Sequence, residues 1–311
     1  MKFLSKLSVL FTLLVMLAGG IVRTTGSGMG CPDWPKCFGQ YIPPTNVSQL
    51  PPDYKTIYAV QGKEIADFSV FKTYVEYINR LLGAILGIIV LALCIAAIRS
   101  KKLILILLST LVLVLTLFEA WLGKIVVDTD LNVYKITLHM LFAILILLTL
   151  LLIHWKVNKN TPIIYFNHAI KKNTLFFLII AMSFTILQIL LGTEVREQID
   201  EIAKIYHFEN RNIWVGNVNY FQKIHASIAW VVLLINLYIV KEYTINKLKL
   251  ESIFLVTIIA LQMLFGMYLA YFGIPAWAQP VHMILSNILI CTQFYIFLRI
   301  KTKEIDNTVI E

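Results

Sequence analysis

Leu103–Val127 reads LILILLSTLVLVLTLFEAWLGKIVV. Sixteen residues pass before its first charge, Glu119. A helix that long without a charged face has no side to turn to water. It does have the length to cross a bilayer, since ~30 Å of hydrocarbon takes about 20 apolar residues. Seven further runs share the pattern: roughly Leu4–Val22, Val70–Ile98, Tyr134–Trp155, Thr174–Val195, Phe221–Val240, Ile253–Phe272 and Trp277–Leu298. Numbered in chain order they are helices 1 to 8, with Leu103–Val127 the third. The runs are continuous rather than alternating, which selects helices over a barrel. The whole chain agrees. Of 311 residues, 59% are hydrophobic and 14% charged, and the mean hydropathy is +0.77. A soluble domain carries about 25% charged residues, so a water-soluble core, disorder and collagen-like structure are all excluded. The expected fold class is an all-α integral membrane protein. Lys2 and Lys6 before the first run allow a signal peptide, but the run is long and lacks a clear small-x-small cleavage site, so it reads as a retained helix.

Charge orients the spans. With the N-terminus cytoplasmic, the inner segments carry 15 basic residues against 5 acidic ones, and the outer loops carry 11 of each. Glu76, Arg80 and Glu119 lie inside helices. The net charge of +9 is then the positive-inside signal of a multi-pass protein with both termini cytoplasmic, and no nucleic-acid partner is needed to explain it. Cys31 and Cys37 fall in the long first outer loop, an oxidising side where a disulfide persists. A staple for a Pro-rich loop is the plainer reading of that pair, and a redox role is the other. Cys94 and Cys291 fall toward the inner ends of helices 2 and 8 and read as free thiols.

Helices 1–4 and 5–8 repeat. Arg23 follows Gly19-Gly20-Ile21-Val22, and Arg196 follows Gly192-Thr193-Glu194-Val195. Glu76 precedes Asn79 by three residues, as Gln222 precedes His225. Glu119 and Gly123 lie 20 and 16 residues before His139, and Gln262 and Gly266 lie 20 and 16 before His282. The expected halves are 1–155 and 174–311, joined by a cytoplasmic linker over 156–173. Each half has an even number of spans, so both enter from one side and a pseudo-twofold axis runs along the membrane normal. The first half adds a long outer loop over 23–70.

An ionisable side chain inside a bundle marks a functional site by default. His139, His225 and His282 each lie four to six residues into an outside-to-inside helix, ~6–9 Å below the outer rim at 1.5 Å per residue. Glu76 and Asn79 lie at similar depth. His154 sits at the inner end of helix 4, His168 in an inner loop and His207 in an outer loop. Facing histidines in a membrane bundle suit axial ligation of heme iron, and small residues such as Gly266 leave a flat slot. The competing role is an interhelical hydrogen bond. Asn79 stands where symmetry expects a partner for His139, and an amide is a poor iron ligand, so the N-terminal pocket keeps an open coordination face. Glu76 has the neutral Gln222 as counterpart. It reads either as an ion pair with Arg80 at i+4 or as a carboxylate moving protons beside a reactive heme edge. Arg23 and Arg196, just outside helices 1 and 5, suit heme propionates or lipid headgroups.

Gly19–Gly39, GGIVRTTGSGMGCPDWPKCFG, with Glu76-Tyr77-Ile78-Asn79-Arg80 and the histidines of helices 4, 6 and 8, resembles the heme A synthase family over essentially the whole chain. The resemblance implies oxidation of a ring methyl of heme O to a formyl group, giving heme A for terminal oxidases. It implies heme b on His225 and His282, the substrate heme O on His139, Glu76 in the oxidation, and a Cys31–Cys37 pair. It further implies a bacterial plasma-membrane protein working with heme O synthase, heme-copper oxidase assembly and an unidentified electron donor. Two features depart from the family pattern: Glu-x-x-His-Arg is here Glu76-x-x-Asn79-Arg80, and the loop between helices 5 and 6 has no cysteine. A diheme electron-transfer cytochrome would want two ligands in each pocket, which Asn79 opposes. A transporter would want broken helices and charge near the midplane. A non-catalytic heme-handling assembly factor would use the same residues.

Overall fold

The computed structural model describes residues 1–158, 164–166, 168–206, 209–245 and 249–302. Among them, eight helices are long and apolar enough to cross a membrane. They are α1 Lys2–Thr24, α2 Val70–Arg99, α3 Leu103–Asp128, α4 Val133–Val157, α5 His168–Ile205, α6 Tyr220–Ile245, α7 Lys249–Tyr271 and α8 Ala278–Arg299. Seven match the expected runs closely. The exception is α5, which continues well past Val195 as a polar helix. Its added turns bury Ile199 and Ala203 at i and i+4 and pair Arg196 with Asp200 at 2.6 Å. The unbroken apolar run stops at Val195, but helical periodicity does not. Arg196 therefore lies inside α5, and Arg23 in the last turn of α1, rather than just beyond them. Two three-residue strands, β1 Ile164–Phe166 and β2 Ile300–Thr302, pair in parallel. The linker expected over 156–173 lies partly outside the described residues, as do His207 and the last nine residues.

The chain forms two compact units, Met1–Val157 with Ile274–Ile284, and Asn158–Gly273 with Leu285–Glu311. In the first, α1 packs on α2 and α4, and α3 packs on α2 and α4, closing a four-helix ring. Its seam is Leu86, Val90, Leu93 and Ala97 on α2, meeting Leu105 and Val112 on α3 and Ile146, Leu150 and Ile153 on α4. The spacings of three, four and seven residues keep one face inward, as in coiled-coil packing. In the second unit α6 packs on α5 and α7. There the fully buried amide of Gln293 donates to Asn236 Oδ1 (3.1 Å), and Arg299 reaches Glu251 at 3.1 Å.

The apolar seam of the first unit fills the end bearing the chain's N-terminus. The opposite end is closed by residues 25–69, which carry a small core of their own: Cys31, Cys37, Phe38, Leu50 and Tyr54. Cys31 and Cys37 are joined in a disulfide. The Phe38 ring meets Tyr54, Tyr58 and Phe68 edge-on. Burial, with the Asp33 carboxylate nearby, pushes the Tyr58 phenol up from its usual range. The loop also reaches α3 and the turn after it, where Gln61 Nε2 donates to the Asp128 carbonyl and Lys63 pairs with Asp130, both at 3.4 Å.

Gly30 is where loop and helix touch backbone to backbone. A Cβ there would fall 2.4 Å from the Lys72 carbonyl oxygen and 2.9 Å from the Thr73 nitrogen. The Thr73 hydroxyl donates to the Gly30 carbonyl at 2.9 Å, holding that approach. Gly30→Ala should therefore lower stability by ~1–3 kcal/mol, the range for overpacking a close contact. Chemical denaturation of the detergent-solubilised protein checks it, and an unchanged midpoint would show the loop sits farther from α2.

Candidate functional site

Ser69 opens α2, its hydroxyl accepting from the Lys72 N–H at 3.4 Å. Glu76 follows in the second turn and is 4% exposed. Its Oε1 accepts from Arg80 Nε at 3.1 Å and Nη2 at 2.5 Å, and its Oε2 accepts from the Cys31 backbone N–H at 2.8 Å. Arg80 also donates to three loop carbonyls: Asp33 (2.6 Å), Lys36 (3.1 Å) and Cys31 (2.6 Å). Asp33 in turn accepts from the Phe38 and Gly39 N–H groups at 2.5 and 2.9 Å. The ion pair read from the i, i+4 spacing is present, and it also anchors the disulfide loop on α2. Sequence spacing gave no sign of that second duty, because the partners are backbone groups 45 residues away.

Asn79, one turn on, has a buried Oδ1 with no hydrogen-bond partner among the described residues. Its amide oxygen is an acceptor with nothing to accept from. It supplies no imidazole to a pocket, and it leaves one polar atom for a ligand or water to satisfy.

His139 lies in the second turn of α4, at the end of the first unit that carries the loop. Its Nδ1 is buried against the Glu119 carboxylate of α3, while 44% of the side chain is open. Gly123, one turn beyond Glu119 on α3, leaves room beside the ring: a Cβ there would lie 3.6 Å from His139 Cε1. With Nδ1 occupied, the ring nitrogen left to bind anything is Nε2. The signal for this contact was present in the 20-residue spacing of Glu119 and His139, and in a carboxylate that an apolar helix must neutralise somewhere.

His154 has the interhelical role instead, with Nδ1 3.0 Å from Ser5 Oγ of α1. His282 lies in the part of α8 that belongs to the first unit, and His225 lies in α6 of the second. Gly192 of α5 leaves space against the His225 ring, a Cβ there standing 3.4 Å from Cε1, and Gln188 Nε2 donates to the His225 carbonyl at 3.0 Å. Arg196 has Asp200 as an ion-pair partner. Cys94 and Cys291 are free thiols.

No cluster of three or more His, Cys, Asp or Glu side chains that could hold a bare metal ion exists among the described residues. An iron already held by a macrocycle needs only one or two axial donors. A pinned imidazole with one open nitrogen fits that demand, and a glycine beside the ring fits a flat ligand.

A family described as cytochrome oxidase assembly protein, COX15-CtaA, matches residues 2–294. The heme A synthase of Ehrlichia canis is 26% identical over 316 residues, covering 91% of this chain and 88% of that protein. That of Flavobacterium johnsoniae is 22% identical over 326 residues, covering 91% and 92%. That of Shewanella oneidensis is 31% identical over 157 residues, 49% of this chain and 44% of that protein, so this match spans less than half of the relative.

Removing Arg80 would strand a buried carboxylate and leave three carbonyls without their donor. Arg80→Ala should cost ~3–5 kcal/mol, as breaking a buried ion pair from one side does. It should also expose residues 31–41 to limited proteolysis. Parent-like protease resistance would mean the loop is anchored elsewhere.

Proposed function

The chain belongs to the heme A synthase family, the COX15-CtaA cytochrome oxidase assembly proteins, and from that footing we propose that it converts heme O to heme A for terminal oxidases. Two successive two-electron oxidations would each place a hydroxyl on the substrate methyl, and the resulting geminal diol would lose one water to leave the formyl group. The observation that carries the reading is the presence, at one end of one compact unit, of a part-exposed imidazole held by a carboxylate, a second buried carboxylate and the disulfide-stapled loop that the latter anchors.

Each residue then has a task. His139 Nε2 holds the substrate iron and so fixes the position of the ring. Glu76 takes protons released as the methyl is oxidised. The Cys31 N–H and the Arg80 guanidinium keep its carboxylate aimed, and general acid–base help of this kind is worth about 10²–10⁴-fold. The loop over 25–69 shields the site from water. Arg23, in the last turn of α1, suits a propionate; Arg196 can do so only in competition with Asp200. The internal repeat and the family resemblance support two halves and heme b on His225 and His282. That group, when bound, supplies one-electron transfer to or from a donor of unidentified class. The positive-inside asymmetry supports cytoplasmic termini, and the family resemblance supports a bacterial plasma membrane, where heme O synthase would provide the substrate and heme-copper oxidase assembly would consume the product.

Coexpression with a heme O-producing enzyme, followed by chromatography of extracted hemes, should yield heme A. Heme O alone would leave an electron-transfer cytochrome or a non-catalytic assembly factor. Glu76→Gln, which keeps an acceptor for the Cys31 N–H, should retain the b-type spectrum and lower heme A yield by at least ~10²-fold. Full yield would remove Glu76 from the chemistry. His225→Ala and His282→Ala should each abolish a six-coordinate low-spin b-type spectrum, and normal heme b content in both would refute that ligand assignment.

A further inference from the structure

The geometry points to Glu119 as the positioning residue of the substrate site: its carboxylate fixes His139 with Nε2 outward and makes this imidazole a stronger electron donor than its counterpart in the other half. The inference rests on the reading of His139 as the iron ligand and goes beyond it, to what sets the character of that ligand.

Glu119 is 8% exposed, in the middle of an apolar helix. A carboxylate there must meet a donor or remain uncharged. Its Oε2 lies against His139 Nδ1 as an ion-pair contact, and neither carboxylate oxygen has another partner among the described residues. Among those residues the imidazole is the group that Glu119 faces. An imidazole whose Nδ1–H donates to a carboxylate is locked in one tautomer and one ring orientation, and its other nitrogen becomes more basic. The carboxylate is buried while 44% of the imidazole side chain is exposed, so the pair leaves part of the ring accessible.

The repeat supplies the comparison. Gln262 occupies the place of Glu119, 20 residues before His282, just as Gln222 occupies the place of Glu76. Both carboxylates belong to the N-terminal half, and the C-terminal half carries amides of the same length. An amide cannot draw the imidazole N–H as a carboxylate does. With Asn79 unable to act as a second imidazole, His139 is the single strong protein ligand in its pocket, so its basicity bears directly on the iron. A more basic ligand favours the oxidised metal, and a pair of negative groups favours the positive charge that grows on a macrocycle losing electrons.

The test uses the full chain in detergent, loaded with heme O by coexpression, and reads the iron–histidine stretching band by resonance Raman together with heme O retention. His139→Ala identifies the band that belongs to this site. Glu119→Gln, a substitution the repeat already accommodates at 262, should lower the band frequency, raise the midpoint potential of this heme and weaken heme O retention about 10- to 100-fold, the usual range for an outer-shell partner. The b-type spectrum should persist as the sign of an intact fold. Glu119→Asp, which keeps the charge, should hold the band nearer the parent should the glutamine variant fail to fold. If His139→Ala removes the band but neither Glu119 variant moves it, Glu119 has no positioning role and the ligand reading stands. If His139→Ala leaves the band and the heme O content intact, the ligand reading itself fails.

Discussion

The buried pair of Glu76 and Arg80 is the interaction on which the rest of the first unit depends. A lone charge 4% exposed in a helix bundle is costly, and one salt bridge seldom repays two desolvated ions. Here both ions have further partners: the carboxylate takes the Cys31 N–H, and the guanidinium serves three loop carbonyls. The pair thereby ties a 45-residue connection to one turn of α2. Its own small core and disulfide then suffice to keep that connection folded, as in other small domains that lack a large apolar interior. The opposite end of the bundle needs no such device, because the Leu86–Ala97 seam packs as apolar side chains alone.

This division of labour explains where chemistry can live. Polar groups gather in the first two turns of α2 and α4 and the last turns of α3, under the loop, and the rest of the unit is spent on packing. The proposed duplication, with unequal charge, would give two different environments from one plan. Glu76 and Glu119 have Gln222 and Gln262 at the corresponding spacings of the second half of the sequence, so the two sequence halves differ in charge there. The roles proposed above, one heme to be oxidised and one that only passes electrons, call for that kind of difference.

Much of this was readable before any coordinates. Eight apolar runs appear as eight helices because hydrocarbon leaves the backbone few other choices, and the loop motif with Cys31 and Cys37 pointed to the family that the comparisons show. Hydropathy does not show a helix that continues past its unbroken apolar run. α5 runs on through Arg196 and Asp200 with Ile199 and Ala203 on its buried side, so Arg196 lies in helix rather than loop. Nor could spacing along the chain reveal partners that are backbone atoms: the Cys31 amide on Glu76 and the Asp33 carbonyl on Arg80 have no side-chain signature. Glu119 lay between these cases. Its 20-residue distance from His139 marks the repeat in the sequence, while the contact itself follows from α3 and α4 being neighbours in the ring.

The central claim is that an imidazole from α4 grips a substrate iron beneath the stapled loop. An experimental density map of the protein loaded with heme O tests it most directly. The account predicts a flat macrocycle whose iron is in bonding contact with His139 Nε2, about 2.0–2.1 Å as for other imidazole–metal bonds, with a ring methyl toward Glu76. A map showing the His139 ring turned to lipid, with the macrocycle bound elsewhere, would contradict it.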